Sequence, residues 1–178
     1  MSNTHRAENS SKDLQNKEKT FFDFTVKDIH GKDFSLSELK NRVILVVNTA
    51  SACGFTPQLK DLEELYQKYS SKGFTVLAFP SNDFRQDSGS NEEIEKFAKD
   101  KYQISFPIMG KNPVSGKEKQ PIFKFLTESK SGFLFREVQW NFEKFLINKK
   151  GLVVDRWSSM TSPNSKDIIS KIESELLN

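Results

Sequence analysis

The run Val43-Ile44-Leu45-Val46-Val47 is apolar at every position and mostly β-branched. A strand that keeps water on one side alternates apolar and polar residues, so an unbroken run requires burial of both faces. Phe74-Thr75-Val76-Leu77-Ala78-Phe79 is a second run of this kind. Between the two, Leu59, Leu62, Leu65, Tyr66 and Tyr69 recur at helical spacing, which predicts a helix to about Ser71. Gly73 follows as a residue suited to closing that helix. Two doubly buried strands joined by an amphipathic helix form a parallel βαβ unit with a right-handed crossover. The chain is therefore α/β, with helices covering the sheet.

The flanking segments complete the pattern. Phe21 to Val26 reads as a strand, residues 27–32 as a turn, and Asp33 to Leu36 as a returning strand, which together predict an N-terminal β-hairpin. A short helical turn follows at Ser37 to Lys40. Ser90-Asn91-Glu92-Glu93 is a capping box, ahead of a helix whose apolar face holds Ile94, Phe97 and Ala98. Phe106 to Met109 reads as a short strand, and Pro121 as the start of a helix carrying Ile122, Phe123, Phe125 and Leu126. Phe142 to Ile147 and Leu152 to Trp157 flank Asn148-Lys149-Lys150-Gly151, a second hairpin that makes the sheet mixed. Pro163 is placed in the first turn of a last helix, with Ile168, Ile169, Ile172, Leu176 and Leu177 as its buried face. Residues 1–19 are polar and expected to be a disordered extension. Residues 20–178 are expected to form a single domain.

Composition removes several classes of function. No stretch approaches the length and apolarity of a membrane-spanning helix, and the net charge of +3 gives no argument for nucleic acid. That charge allows at most peripheral attraction to an anionic membrane. The N-terminus lacks an apolar signal segment, so the expected location is cytoplasmic. Cys53 is the one cysteine, which excludes an internal disulfide and a cysteine-rich zinc site. Two histidines, His5 and His30, make a histidine-based metal site or a Ser-His-Asp triad improbable. The sequence points to no metal and no organic cofactor.

Cys53 follows the first buried strand and precedes its helix. Ligands bind at that end of an open α/β sheet, and helix N-termini favour anions. A thiolate there is stabilised and nucleophilic, which makes Cys53 a candidate reactive group. Position alone leaves the alternative open, because a lone cysteine is often an inert small hydrophobe. No histidine lies in the predicted core segments, so Cys-His hydrolysis is disfavoured. Two-electron oxidation by a peroxide needs only the thiolate and neutral hydrogen-bond donors.

Asn48-Thr49-Ala50-Ser51-Ala52-Cys53-Gly54-Phe55-Thr56 resembles the active-site segment of the glutathione peroxidase family. Phe79-Pro80-Ser81-Asn82-Asp83-Phe84, with Gly89-Ser90-Asn91-Glu92-Glu93-Ile94, resembles its second motif, and Trp140-Asn141-Phe142-Glu143-Lys144-Phe145-Leu146 its third. The motifs occur in the family's order from about Phe22 to the C-terminus. The resemblance implies a thioredoxin-like fold, with a central mixed β-sheet flanked by helices, and an antioxidant peroxidase that acts in oxidative stress. It further implies a catalytic tetrad of Cys53, Gln86, Trp140 and Asn141. Gln86 is assigned although its loop looks one residue short, because an acidic residue follows it. Read without the resemblance, Trp140 suits a core aromatic and Asn141 a turn residue. Asp83 lies close by in sequence, and its carboxylate is expected to point away from the sulfur.

Two departures bear on the reductant. Ala98 stands where many thioredoxin-dependent members carry a resolving cysteine, and Ser81 where a cysteine is common. An oxidised Cys53 must then be reduced by an external thiol, glutathione or a thioredoxin-like protein. The 13 residues between Leu126 and Trp140 resemble the monomeric, phospholipid-hydroperoxide type, which implies a monomer that accepts hydrogen peroxide and organic or lipid hydroperoxides. The competing reading is a redox sensor or relay, or a variant impaired in turnover for lack of a resolving cysteine.

Overall fold

The computed structural model describes residues 18–130, 132 and 135–178. The polar extension expected at residues 1–19 lies outside the described residues up to residue 17. The fold is built on a four-stranded mixed sheet in the order β4-β3-β5-β6. Strands β3 (Val43–Thr49) and β4 (Phe74–Pro80) are parallel, while β5 (Lys144–Ile147) and β6 (Val153–Trp157) are antiparallel additions beside β3. A separate hairpin pairs β1 (Thr25–Lys27) with β2 (Asp33–Ser35). Helix α1 (Gln58–Tyr69) makes the crossover, and α2 (Asn91–Tyr102), α3 (Pro121–Ser129) and α4 (Lys166–Leu176) complete the set.

Successive residues of a strand face opposite ways, and β3 divides the core accordingly. Val43, Leu45 and Val47 pack with residues of α1, α4 and Ala98 of α2. Ile44 and Val46 pack with α3 and the N-terminal turns. All seven residues of β3 are buried, which is why its sequence shows no alternation. On the α3 side Phe123 meets Phe79 and Phe145 edge-to-face, at 5.3 and 6.3 Å between ring centres. Each such pair adds about 1 kcal/mol beyond burial.

Several boundaries differ from the sequence expectation, each for a local reason. Phe21–Asp23 is a 3-10 turn rather than strand, because the Thr20 backbone N–H donates to Asp23 and closes a capping box. The predicted strand over Phe106–Met109 is reduced to single bridges from Ile108 to Ala78 and from Met109 to Asp28. The strand expected from Phe142 begins at Lys144, because Phe142 is left-handed, with φ of 64°. The last helix starts at Lys166 rather than at Pro163: the Ser165 hydroxyl accepts from Ile168 N and sets the start. Leu177 is 89% exposed, and Glu175 occupies the buried face in its place. Ser90 caps α2 as expected, and Gly73 closes the helical segment after α1 with φ of 96°.

Candidate active site

Thr49 ends β3, and the chain turns through residues 50–57 before α1 begins. Thr56 folds this segment onto itself. Its Oγ1 accepts from Cys53 N at 2.9 Å and donates to Ala50 O at 2.8 Å, while Thr56 N donates to Cys53 O at 3.0 Å. Cys53 is 7% exposed, and its sulfur accepts from Phe55 N at 3.4 Å. The sequence placed the sulfur at the helix N-terminus itself. In the structure the first N–H groups of α1, those of Gln58, Leu59 and Lys60, turn back to the carbonyls of Phe55, Thr56 and Pro57. The donor to the sulfur comes from its own turn, one step ahead of the helix.

A second loop, between β4 and α2, closes on the first. Ala52 N donates to Gln86 O at 3.0 Å, and Ser51 N donates to Asp87 Oδ1 at 3.3 Å. Arg85, just before them, is left-handed at φ of 59°. A third segment arrives ahead of β5. The Asn141 amide donates to Gln86 Oε1 at 2.9 Å, and Asn141 is fully buried. Asn48, at the end of β3, donates its amide to Trp140 O at 2.9 Å and accepts Phe142 N on its backbone carbonyl at 2.7 Å. The Ser159 hydroxyl, beyond β6, donates to Asn141 O. Trp140 is 39% exposed rather than a core aromatic, and its ring lies 5.3 Å from that of Phe84.

Three loops at one end of the sheet are thus joined by named bonds. Cys53 connects to Gln86 through the backbone of Ala52, Gln86 connects to Asn141 through side chains, and Trp140 is the neighbour of Asn141. Among the described residues, none of Gln86, Trp140 and Asn141 donates a hydrogen bond to the sulfur. Asp83 turns away, accepting Val114 N at 2.6 Å and Ser115 N at 3.0 Å. Ser81 is buried and accepts from Asp83 N, and Ala98 is buried in α2.

Buried charge surrounds this cluster. Burial raises the Asp87 carboxyl above the ordinary carboxylate range, against the opposing pull of Ser51 and Lys111. Burial likewise raises Glu143, although Arg156 at 2.9 Å favours its ionised form. Lys144 has no exposed surface, and burial lowers its pKa to about 7. Among the described residues, no group of three or more His, Cys, Asp and Glu side chains could hold a metal ion.

Sequence reasoning missed Thr56, Asn48 and Asp87. Thr56 three residues after Cys53 is a readable local signal, since a hydroxyl at that spacing reaches back to the earlier N–H. A polar residue ending an apolar strand, as Asn48 does, is a second. Asp87 offered only its acidity, and its burial depends on tertiary packing.

A mixed sheet of this topology, flanked by helices and preceded by an antiparallel hairpin, defines a thioredoxin-like protein. A family model for glutathione peroxidase matches residues 21–127. Glutathione peroxidase-like peroxiredoxin 2 of Saccharomyces cerevisiae is 48% identical over 150 residues, covering 83% of this chain and 93% of its own. The chloroplastic phospholipid hydroperoxide glutathione peroxidase 1 of Arabidopsis thaliana is 51% identical over 148 residues, covering 82% of this chain and 63% of its own. Among solved structures, T. cruzi GPX1 superposes with a TM-score of 0.74 at 34% identity, over 90% of this chain and 98% of that one. A thioredoxin-family thiol:disulfide interchange protein from Chlorobium tepidum, 18% identical with a TM-score of 0.61 over 86% of this chain and 92% of that one, shares the fold. The chain belongs to the glutathione peroxidase family and is a thiol-dependent peroxidase.

Proposed function

We propose that Cys53 is the peroxidatic nucleophile and that Gln86, Trp140 and Asn141 serve it as neutral donors. The observation that carries this reading is the bond from Asn141 Nδ2 to Gln86 Oε1. It fixes the orientation of the Gln86 amide and leaves its nitrogen free. Among the described residues neither Gln86 Nε2 nor Trp140 Nε1 makes another hydrogen bond, so both remain available to a thiolate or a peroxide. Neutral donors stabilise charge on sulfur and oxygen without raising the cost of bringing a peroxide close.

The thiolate sulfur attacks one peroxide oxygen, an S–O bond forms, and the O–O bond breaks. The leaving oxygen takes a proton and departs as water or an alcohol. The sulfur has lost two electrons and stands as a sulfenic acid. A first external thiol condenses with it, releasing water and leaving a mixed disulfide. A second thiol attacks that disulfide and restores Cys53. With one cysteine in this chain, both thiols come from outside, from glutathione or a thioredoxin-like protein. The half-exposed Trp140 at the rim suits bulky organic and lipid hydroperoxides as well as hydrogen peroxide. The same reading takes residues 20–178 as one domain acting as a cytoplasmic monomer, without a nucleic-acid partner. The absence of a cysteine at 81 and 98 favours one second reading, a relay that passes the oxidation to a partner protein through the mixed disulfide.

Peroxide turnover with glutathione, or with a thioredoxin system, measured beside Cys53→Ser tests the proposal. Turnover that vanishes in the variant supports it. Rapid oxidation of Cys53 without turnover in either system transfers support to the relay. An unreactive Cys53 overturns both.

A further inference from the structure

Lys144 opens β5 with no exposed surface, opposite Val47 of β3 and Trp157 of β6. Among the described residues it forms no ion pair: its neighbour Glu143 is bound to Arg156 at 2.9 Å. A buried amine without a counter-charge is costly, and an apolar side chain of the same volume would avoid the cost. What the nitrogen gains is two carbonyls. Nζ donates to Phe142 O at 2.8 Å and to Ser158 O at 3.5 Å.

Those carbonyls belong to the segments that carry the site. Phe142 is held left-handed at φ of 64°, a conformation that a bulky residue keeps only when its surroundings enforce it. The enforcement is visible: Asn48 O receives Phe142 N at 2.7 Å, Ser159 donates to Asn141 O, and Lys144 binds Phe142 O. Consecutive peptide groups after Trp140 are thereby fixed, and Lys144 joins them to the loop leaving β6.

We propose that Lys144 is a positioning residue: by tying Phe142 O to Ser158 O it sets the left-handed turn on which Trp140 and Asn141 stand. This rests on the reading of those two side chains as donors at Cys53. The amine touches neither sulfur nor peroxide and acts through the backbone. Its protonation changes within the working range, since burial brings its pKa to about 7. The charge that reaches it is that of Glu143, on its own segment; across the sheet it faces uncharged Val47 and Trp157.

The test is the single-turnover rate of Cys53 oxidation by hydrogen peroxide in wild type, Lys144→Met, Asn141→Ala and the double variant. Methionine keeps the volume and removes the donor. The expected result is a folded Lys144→Met protein oxidised about tenfold more slowly, the scale of one lost hydrogen bond to a charged group. Its loss should not multiply with that of Asn141→Ala, because both act through one segment. A wild-type rate in Lys144→Met, or fully additive losses, overturns the proposal. An unreactive Cys53 in the wild type instead overturns the peroxidatic reading. A second measurement needs neither activity nor the methionine variant. In Cys53→Ser protein, where the thiol cannot titrate, the Trp140 indole and Asn141 amide resonances should move together with a midpoint near 7. The movement should survive His30→Gln. Resonances static between about pH 6 and about pH 9, the span in which such an amine changes charge, overturn the proposal.

Discussion

At the scale of single residues, the site depends on side chains whose polarity is out of keeping with their burial. Asp87 is 2% exposed, and burial raises its carboxyl above the ordinary value. A carboxyl whose folded pKa is raised binds its proton more tightly in the native state than in the unfolded chain. It therefore contributes full stability below the unfolded value of 3.8, and that contribution is lost as the pH rises through the folded value. Asp87→Asn keeps an oxygen for Ser51 N and carries no charge. It should melt above the wild type at pH 7, with a difference that shrinks steadily toward about pH 4, which thermal unfolding across pH would measure. A constant difference at every pH would assign the effect to packing instead. Asn141→Ala removes the partner of Gln86 Oε1 and should slow Cys53 oxidation by about a hundredfold, the lower end of the cost of one lost preorganised donor, in a peroxide stopped-flow measurement. Cys53, Trp140 and Asn141 were singled out because they fall in segments that resemble family motifs, and Gln86 by the acidic residue after it; the structure joins Gln86 to Asn141 by a side-chain bond. Lys144 was not singled out, because an amine inside an apolar strand reads as a solvated edge until the neighbouring carbonyls are seen.

At the scale of elements, what the sequence made legible follows the range of the forces involved. β3 and β4 were clear because burial on both faces leaves no alternation, and α1 was clear because one face packs against them. The start of β5 and of α4 escaped, since one is set by a left-handed Phe142 and the other by a serine cap chosen over a nearby proline. Where the cap was read correctly, its worth can be measured: Ser90→Ala should destabilise by about 1 kcal/mol in denaturant unfolding, with the slope unchanged. The connection from α3 to β5 is held by a side chain that the sequence did not single out. Arg156 of β6 donates to Lys130 O at 2.9 Å, to Arg136 O at 2.6 Å and to Glu137 O at 3.1 Å, and pairs with Glu143 while stacking on Phe145. Both members of that pair are buried, so Arg156→Ala strands a carboxylate and should cost about 3 kcal/mol. Hydrogen exchange at residues 135–138 should accelerate in the same variant, since three carbonyl anchors disappear together. A stability loss without faster exchange there would show that the pair, and not the carbonyl anchoring, is what Arg156 contributes.

At the scale of the whole molecule, the decisive fact is the single cysteine. A peroxidase with a resolving cysteine stores its oxidation as an internal disulfide, whereas this chain has no second thiol with which to do so. Nor can packing supply one: Ala98 is buried in α2, Ser81 follows β4 beside the end of β3, and both are chemically inert to a sulfenic acid. The oxidised protein therefore has three fates, all resolved by intact mass. With excess peroxide and no thiol, Cys53 should gain one oxygen and then more, climbing toward forms that thiols do not reverse. With glutathione present, the mass should rise by one glutathionyl group, transiently if turnover is fast and persistently if the second thiol is slow to reach a sulfur that is 7% exposed. With another copy of the chain as the only thiol, a disulfide-linked dimer is disfavoured, because two such recessed sulfurs must meet across opposing loops. Under peroxide, denaturing non-reducing electrophoresis should then show a species near the 20.5 kDa of one chain and no covalent dimer. A covalent dimer forming faster than the glutathionyl adduct would show that the loops around Cys53 open widely enough to admit a protein thiol. That outcome would favour a macromolecular reductant over a small one.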